Sequence, residues 1–449
     1  MATPTKTNGN KINGQNSVST ILPVLNQVKE EIHTDYDDRN FWWGALAEPL
    51  ATLLQTSQYA YDVQLKYLRW FHKWIPAALG PRPISGKPFY GSWLTYDRSA
   101  LEYSLNWKEK SPFQTVRFTL EPMSKKAGTS ADRLNQTGAK EFFTAVAMDI
   151  PSLDLERFNH FLAATHVPDE AVDKAVAKHP PGFPRSRVWV AFDLERSGGI
   201  VAKAYFLPHW RSLYTEVSTR TIVFDAIRKC NGPSGSYESS IAALNEHLDA
   251  FPPGETPEIV LLSNDCVADA RSRIKVYVHS EADTLAKARH MFHLGGRLKG
   301  SAMVAGLKAV DDFWHHLFGL SRSDPDADDK VVLSGHKCLL VYEMRPTSQE
   351  GAAAEVSPDI EVKLHIPTWE LGKTDTEIGA LMSSWFQANG HPELAARYQP
   401  DLAATFPKHQ LSTTGGTHTF ISLTYTHKTG LYMTTYYTTR LPEMHFPLD

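Results

Sequence analysis

Five basic residues of this 449-residue chain, Arg117, Lys203, Arg273, Lys275 and Lys363, lie in short runs whose polar residues fall on alternate positions. The runs read Val116-Arg117-Phe118-Thr119-Leu120, Val201-Ala202-Lys203-Ala204-Tyr205, Arg273-Ile274-Lys275-Val276-Tyr277 and Glu361-Val362-Lys363-Leu364-His365. A fifth, Tyr432-Met433-Thr434-Thr435-Tyr436, carries phenols in place of the cations. A strand has a side-chain period of two, so each run sends its charged and phenolic groups to one face and its aliphatic groups to the other. If the five faces share one lumen, the cations converge there, with Glu361 able to neutralise one of them. Buried unpaired cations are costly, so the cluster calls for an anion, and a diphosphate with about three negative charges fits it. Tyr205, Tyr277, Tyr432 and Tyr436 would present aromatic faces that shield a carbocation by cation–π attraction. A phosphate cradle beside a carbocation shield suits an allylic diphosphate. A single Lys-x-Tyr strand equally describes a solvated sheet face; recurrence at roughly 70–90 residues, the kind of period that marks a repeat architecture, points to the shared cavity.

Each run has a strand-like partner just before it, which supplies the elements that would position these groups. Leu101–Asn106 leads to the Arg117 run, Val188–Leu194 to the Lys203 run, Ile259–Cys266 to the Arg273/Lys275 run, Lys337–Glu343 to the Lys363 run across an Ala/Glu/Ser loop, and Thr419–Tyr425 to the Tyr436 run. Glycines at the turns and β-branched or aromatic residues in the runs support five hairpins. Before and between them lie helical periodicities: Asp38–Gly80, stopped by Pro76 and Gly80-Pro81, then Lys140–Ala147, Leu155–Thr165, Thr219–Lys229, Leu285–Phe292, Val304–Leu317 and Ile378–Ala388. Strand-strand-helix-helix order argues against a doubly wound parallel sheet or a TIM barrel. The expected fold is α+β: about ten antiparallel strands closed into a barrel with a solvated central cavity, ringed by helices. The expected organisation is a flexible N-terminal tail and lead-in over residues 1–37, with Met1 to about Thr20 rich in Asn, Thr, Ser, Gly and Lys, and one barrel domain over 38–449.

Composition narrows the class. Net charge is −4 with no polybasic block, which gives no reason to expect a nucleic-acid partner. The three cysteines, Cys230, Cys266 and Cys338, are far apart and odd in number, which fits a reducing compartment and excludes a disulfide framework. No apolar run approaches the roughly 18 residues of a membrane span, and the N-terminal stretch, with no apolar h-region, reads as a tail and not as a signal peptide, so a cytoplasmic protein without a membrane partner is expected. Gly372-Lys373-Thr374 resembles the end of a phosphate loop, but position 367 is Pro where that motif needs glycine. Asp311-Asp312 is followed by His315 and lacks the spacing of a magnesium-bridged diphosphate site, and the adjacent His315-His316 pair points to different sides of a helix. No metal site is expected.

These residues resemble the fungal dimethylallyltryptophan synthase-type aromatic prenyltransferases. The resemblance is carried in order from about Phe41 to Tyr437 by Glu102 within Leu101-Glu102-Tyr103-Ser104-Leu105-Asn106, Val116-Arg117-Phe118-Thr119-Leu120-Glu121-Pro122, Ala127-Gly128-Thr129, Lys203-Ala204-Tyr205-Phe206, Ser272-Arg273-Ile274-Lys275-Val276-Tyr277 and Leu294-Gly295-Gly296-Arg297. It implies the ABBA barrel, built of αββα repeats. It also implies that Arg117, Lys203, Arg273, Lys275 and Lys363 bind dimethylallyl diphosphate without an essential metal or other cofactor. Tyr205, Tyr277, Tyr432 and Tyr436 would shield the dimethylallyl cation, and Glu102 would hold the acceptor's N–H.

The chain departs from tryptophan-specific members where they hold the amino acid. Trp189 stands in place of a lysine, Leu207 and Val260 in place of a tyrosine and an arginine, and Glu361 and Lys363 in place of a Gln and a Tyr. The expected acceptor pocket therefore comprises Trp189, Leu207, Val260, Glu361 and His365. A free amino acid would set its charged head group against apolar side chains there, an expensive mismatch. A bulky neutral indole is the expected acceptor: a cyclic dipeptide, an indole alkaloid or an indole diterpene. A phenolic or xanthone acceptor and a non-catalytic carrier of aromatic or isoprenoid ligands are the alternatives, and monomer and homodimer are equally compatible.

Overall fold

The computed structural model describes residues 22–32, 37–85, 88–231, 235–347 and 359–441. All five hairpins form. The strands are β1 (Leu101–Lys108), β2 (Thr115–Leu120), β3 (Val188–Leu194), β4 (Ile200–Phe206) and β5 (Glu258–Asp265), followed by β6 (Ile274–His279), β7 (Leu339–Met344), β8 (Ile360–Pro367), β9 (His418–Thr426) and β10 (Gly430–Thr438). Each pairs antiparallel with its sequence neighbours, and β1 closes on β10 to complete the barrel. Closure leaves no strand edge exposed.

Alternation sets the two sides of this wall. Outward residues Phe118, Phe192 and Phe206 are fully buried under the helices, where Trp70 meets Phe192 edge-on at 5.1 Å and Phe158 lies 5.7 Å from Phe206. Burying each such ring contributes about 1.5–3 kcal/mol, so the hydrophobic core is the layer between barrel and helices and the lumen is left to polar groups. Tyr103 Oη donates to the Leu46 carbonyl at 2.7 Å and Tyr342 Oη to the Met291 carbonyl at 2.9 Å, pinning strands to helices.

Three sequence expectations need correcting. The helical stretch from Asp38 to Gly80 is two helices, Asp37–Thr56 and Tyr61–Ala78, separated where Gln58 takes φ 59°, and Pro76 lies inside the second helix. The lead-in over residues 1–37 contains a helix, Pro23–Glu31, which buries Val24, Leu25 and Val28. Four further helices were not expected: Val172–Lys178, His209–Thr215, Glu238–Asp249 and Pro392–Thr405. The first two span only seven residues each, too few for a helical period to register, and the last carries Pro400 within it. The tail expected over Met1 to about Thr20 and the Ala/Glu/Ser loop of the fourth hairpin, at 348–358, lie outside the described residues. Among the described residues no helix is long and apolar enough to cross a membrane.

Candidate active site

In a ring of alternating antiparallel strands, all even-numbered strands run the same way. Sequence order along them therefore becomes depth in the lumen. The cation precedes the aromatic residue by two positions in Lys203-Ala204-Tyr205, Lys275-Val276-Tyr277 and Lys363-Leu364-His365. One end of the lumen is consequently cationic, and the aromatic groups form the next layer inward. Odd-numbered strands run the other way and bring carboxylates to the cationic end: Asp193 at the end of β3, Asp265 at the end of β5 and Glu343 on β7.

The structure brings Arg117, Lys203, Arg273, Lys275, Lys363, Tyr205, Tyr277, Tyr432, Tyr436, Glu361 and His365 to the lining of a single cavity. Three of the acids that meet these cations, Asp193, Asp265 and Glu343, are not among the residues expected from the sequence. Asp193 joins Arg117 at 3.0 Å and also pairs with Lys203. Asp265 receives Arg273 at 2.6 Å and Lys275 at 3.1 Å, while Glu343 pairs with Arg273 at 3.1 Å and with Arg345 at 2.9 Å. Among the described residues, Arg117, Lys203, Arg273, Lys275, Arg345 and Lys363 thus outnumber the carboxylates of Asp193, Asp265, Glu343 and Glu361 by two. Burial alone would raise Asp265, but Lys275, Lys203 and Arg273 hold it well below the usual carboxylate range, so it stays ionised. The cluster is charge-compensated more fully than the second strands suggest. The signal lay in the first strands, whose inward alternation ends in Asp193 and Asp265.

Lys363 has the least compensation. Its Nζ lies 3.9 Å from the centroid of the Tyr432 ring, and burial lowers its pKa. Arg117 lies 5.9 Å and Lys108 5.6 Å from that ring. Burial would raise the Tyr432 phenol, yet Arg117 and Lys363 outweigh it and bring it down to about 7. In the aromatic layer, Tyr205 and Tyr277 meet edge-on at 6.0 Å, and the Tyr436 hydroxyl is 3.2 Å from His365 Nε2. Burial and the Lys363 charge push His365 down to about 3, so its ring is neutral and adds no charge to that layer.

Beyond the aromatic layer stands Glu102, two positions before the cavity-lining Ser104 on β1. It is buried, accepts a 2.7 Å hydrogen bond from Thr419 Oγ1, and is pushed up to about 8 by burial, with Asp97 adding a smaller push in the same direction. Trp189 lies opposite Tyr205 in the β3–β4 ladder, and Leu207 follows Tyr205 on the same face. Val260 is the extra residue of a bulge, so Leu261 takes the position opposite Tyr277. Glu361, expected in the acceptor pocket, stands instead at the cationic end, where it binds Arg345 at 2.9 Å. The reason is directional: it precedes Lys363 on an even-numbered strand. Among the described residues no group of three or more His, Cys, Asp or Glu side chains is placed to hold a metal ion.

A family model described as tryptophan dimethylallyltransferase matches residues 38–401. Prenyltransferase iacE of Pestalotiopsis fici is 57% identical over 438 residues, covering 97% of this chain and 98% of its own length. The 7-dimethylallyltryptophan synthase of Aspergillus fumigatus is 32% identical over 416 residues, covering 89% and 85%. The crystal structure of AnaPT from Neosartorya fischeri, which is named an indole diterpene prenyltransferase, superposes with a TM-score of 0.79 at 25% identity over 93% of this chain and 97% of its own.

Proposed function

The chain belongs to the tryptophan dimethylallyltransferase family, and from that premise we propose how its lumen moves a dimethylallyl group from dimethylallyl diphosphate to an electron-rich aromatic ring. The observation that carries this reading is the order of layers, with the cations and Tyr432 first, then Tyr205, Tyr277 and Tyr436, then the buried carboxylate of Glu102. Arg117, Lys203, Arg273, Lys275 and Lys363 hold the diphosphate. As the carbon–oxygen bond breaks, its electron pair leaves with the diphosphate, whose added charge the cations stabilise in a site shielded from water. Tyr205, Tyr277, Tyr432 and Tyr436 face the allylic cation and exclude water from it. A ring carbon of the acceptor donates an electron pair to the cation, and the ring regains aromaticity by losing the proton from that carbon to the released diphosphate, the base that the step itself supplies.

Glu102 accepts a hydrogen bond from the acceptor's N–H or O–H and strengthens the ring as a nucleophile. The ionised carboxylate is the stronger acceptor and the form that pushes most electron density into the ring. The acceptor we infer is a neutral, bulky indole compound and not free tryptophan. Trp189 and Leu207 offer aromatic and aliphatic surface where an amino acid's charged head group would need polar partners. Incubation with labelled dimethylallyl diphosphate and a panel of indoles, a hydroxynaphthalene and a xanthone, followed by product masses and NMR, tests this. A prenylated indole with one diphosphate released per product is expected. Prenylation of the phenols alone would move the acceptor class, and binding with no diphosphate released would make the protein a carrier.

A further inference from the structure

Glu121, the inward residue that follows Arg117 and Thr119 at the end of β2, has no part in the reaction as drawn above, yet it is fully buried at the Glu102 end of the lumen. Its Oε2 accepts three hydrogen bonds from two separate segments. Ser92 Oγ and Ser186 Oγ donate at 2.5 Å each, and the indole Nε1–H of Trp189 donates at 3.3 Å. Both hydroxyls also accept a backbone N–H, Ser92 from Leu94 at 3.1 Å and Ser186 from Trp93 at 2.7 Å. One carboxylate oxygen therefore ties the loop at 92–94 and the strand leading into β3 to the inner wall of the barrel. It also fixes the direction of the one large ring that faces Tyr205 across the β3–β4 ladder.

We propose that Glu121 is a positioning residue for acceptor selection, which sets the plane of the Trp189 indole and through it the orientation in which a flat aromatic acceptor lies above the tyrosine layer. The proposal rests on the prenyl-transfer reading and deepens it. An indole ring with a free N–H can rotate about its two side-chain torsions; a buried acceptor on that N–H removes this freedom. A leucine at 121 fills similar space without accepting anything, so Trp189 and the two serines lose their common anchor. A glutamine can place its amide oxygen where Oε2 lies and accept the same three bonds.

The test uses the full-length protein, the acceptor it prenylates fastest, and the variants Glu121→Leu, Glu121→Gln, Trp189→Phe and Glu121→Leu/Trp189→Phe. Glu121→Leu should raise the acceptor KM about tenfold and spread the product over more than one ring position. The donor KM and the calorimetric affinity for dimethylallyl thiolodiphosphate should stay within twofold, and Glu121→Gln should restore the wild-type product pattern. Because Glu121 acts through Trp189, the double variant should be no worse in acceptor KM than the worse single variant. Equal loss of donor affinity, acceptor affinity and melting temperature in Glu121→Leu would overturn the proposal, as would fully additive effects on acceptor KM. Failure of the prenyl-transfer reading is distinguishable, since the wild-type protein would then release no diphosphate.

Discussion

Lys363 Nζ packs 3.9 Å over the Tyr432 ring, whereas Arg117, Lys203, Arg273 and Lys275 each hold a carboxylate. A buried ammonium with no carboxylate in direct contact, only the Tyr432 phenol beside it, is less compensated than its paired neighbours, so the arriving diphosphate improves its surroundings more than theirs. Replacing Lys363 by Met should raise the melting temperature and weaken binding of dimethylallyl thiolodiphosphate by roughly tenfold or more, the scale of one charge-assisted hydrogen bond. Differential scanning calorimetry and titration calorimetry check the two signs together. A variant that loses stability and keeps donor affinity would remove Lys363 from the cradle.

Asp193 bridges Arg117 and Lys203 and competes with the donor for both. Asp193→Asn should therefore lower stability, because two buried cations lose their partner, while donor affinity holds or tightens. Urea unfolding with and without the thiolodiphosphate measures both. The donor should recover a larger share of stability in the variant than in the wild type.

Alternation along the five second strands is enough to place the predicted cations and tyrosines in one cavity, because strand period is a local property. The partners of those cations sit on the preceding strands, and which inward residues meet across a lumen depends on register and strand tilt, which no single run reveals. Glu361 stands among the cations, as its ability to neutralise one of them suggests, and not in the acceptor pocket that the family resemblance implies, because it precedes Lys363 on an even-numbered strand. The break at Gln58 left no such trace, since it rests on a positive φ in a residue that is not glycine. Glu121 was visible only as part of a motif; its role depends on Ser92 and Ser186, distant in sequence.

Glu102 supplies the pH dependence. Burial raises its carboxyl from the model-compound value of 4.5 to about 8, so at neutral pH the free enzyme holds it mostly protonated. The acceptor's kcat/KM should rise with pH through about 8 and then level, because the ionised form is the stronger hydrogen-bond acceptor and the better base. Between 4.5 and 8 the folded state holds a proton that the unfolded state has lost, so this group's contribution to stability falls as pH rises across that window. Glu102→Gln should flatten both trends, with turnover down about a hundredfold and a higher melting temperature at pH 8. A wild-type rate in this variant would leave acceptor activation without a residue.

Chelation addresses the charge balance. Protein cations and not a bound metal are assigned to the diphosphate, so exhaustive treatment with EDTA should leave most of the turnover intact. Complete loss, restored only by magnesium, would assign the neutralising charge to the metal.

The central claim is that one lumen has a donor end and an acceptor end, and titration calorimetry with dimethylallyl thiolodiphosphate on Lys275→Glu and Glu102→Gln tests it most directly. Lys275 pairs with Asp265 at 3.1 Å in the cationic layer, and Glu102 lies past the tyrosines. Lys275→Glu should abolish detectable donor binding, since a like charge replaces a cation facing the diphosphate, while Glu102→Gln should bind within twofold of wild type. Undiminished binding in Lys275→Glu, or an equal loss in both variants, would contradict the division of the lumen.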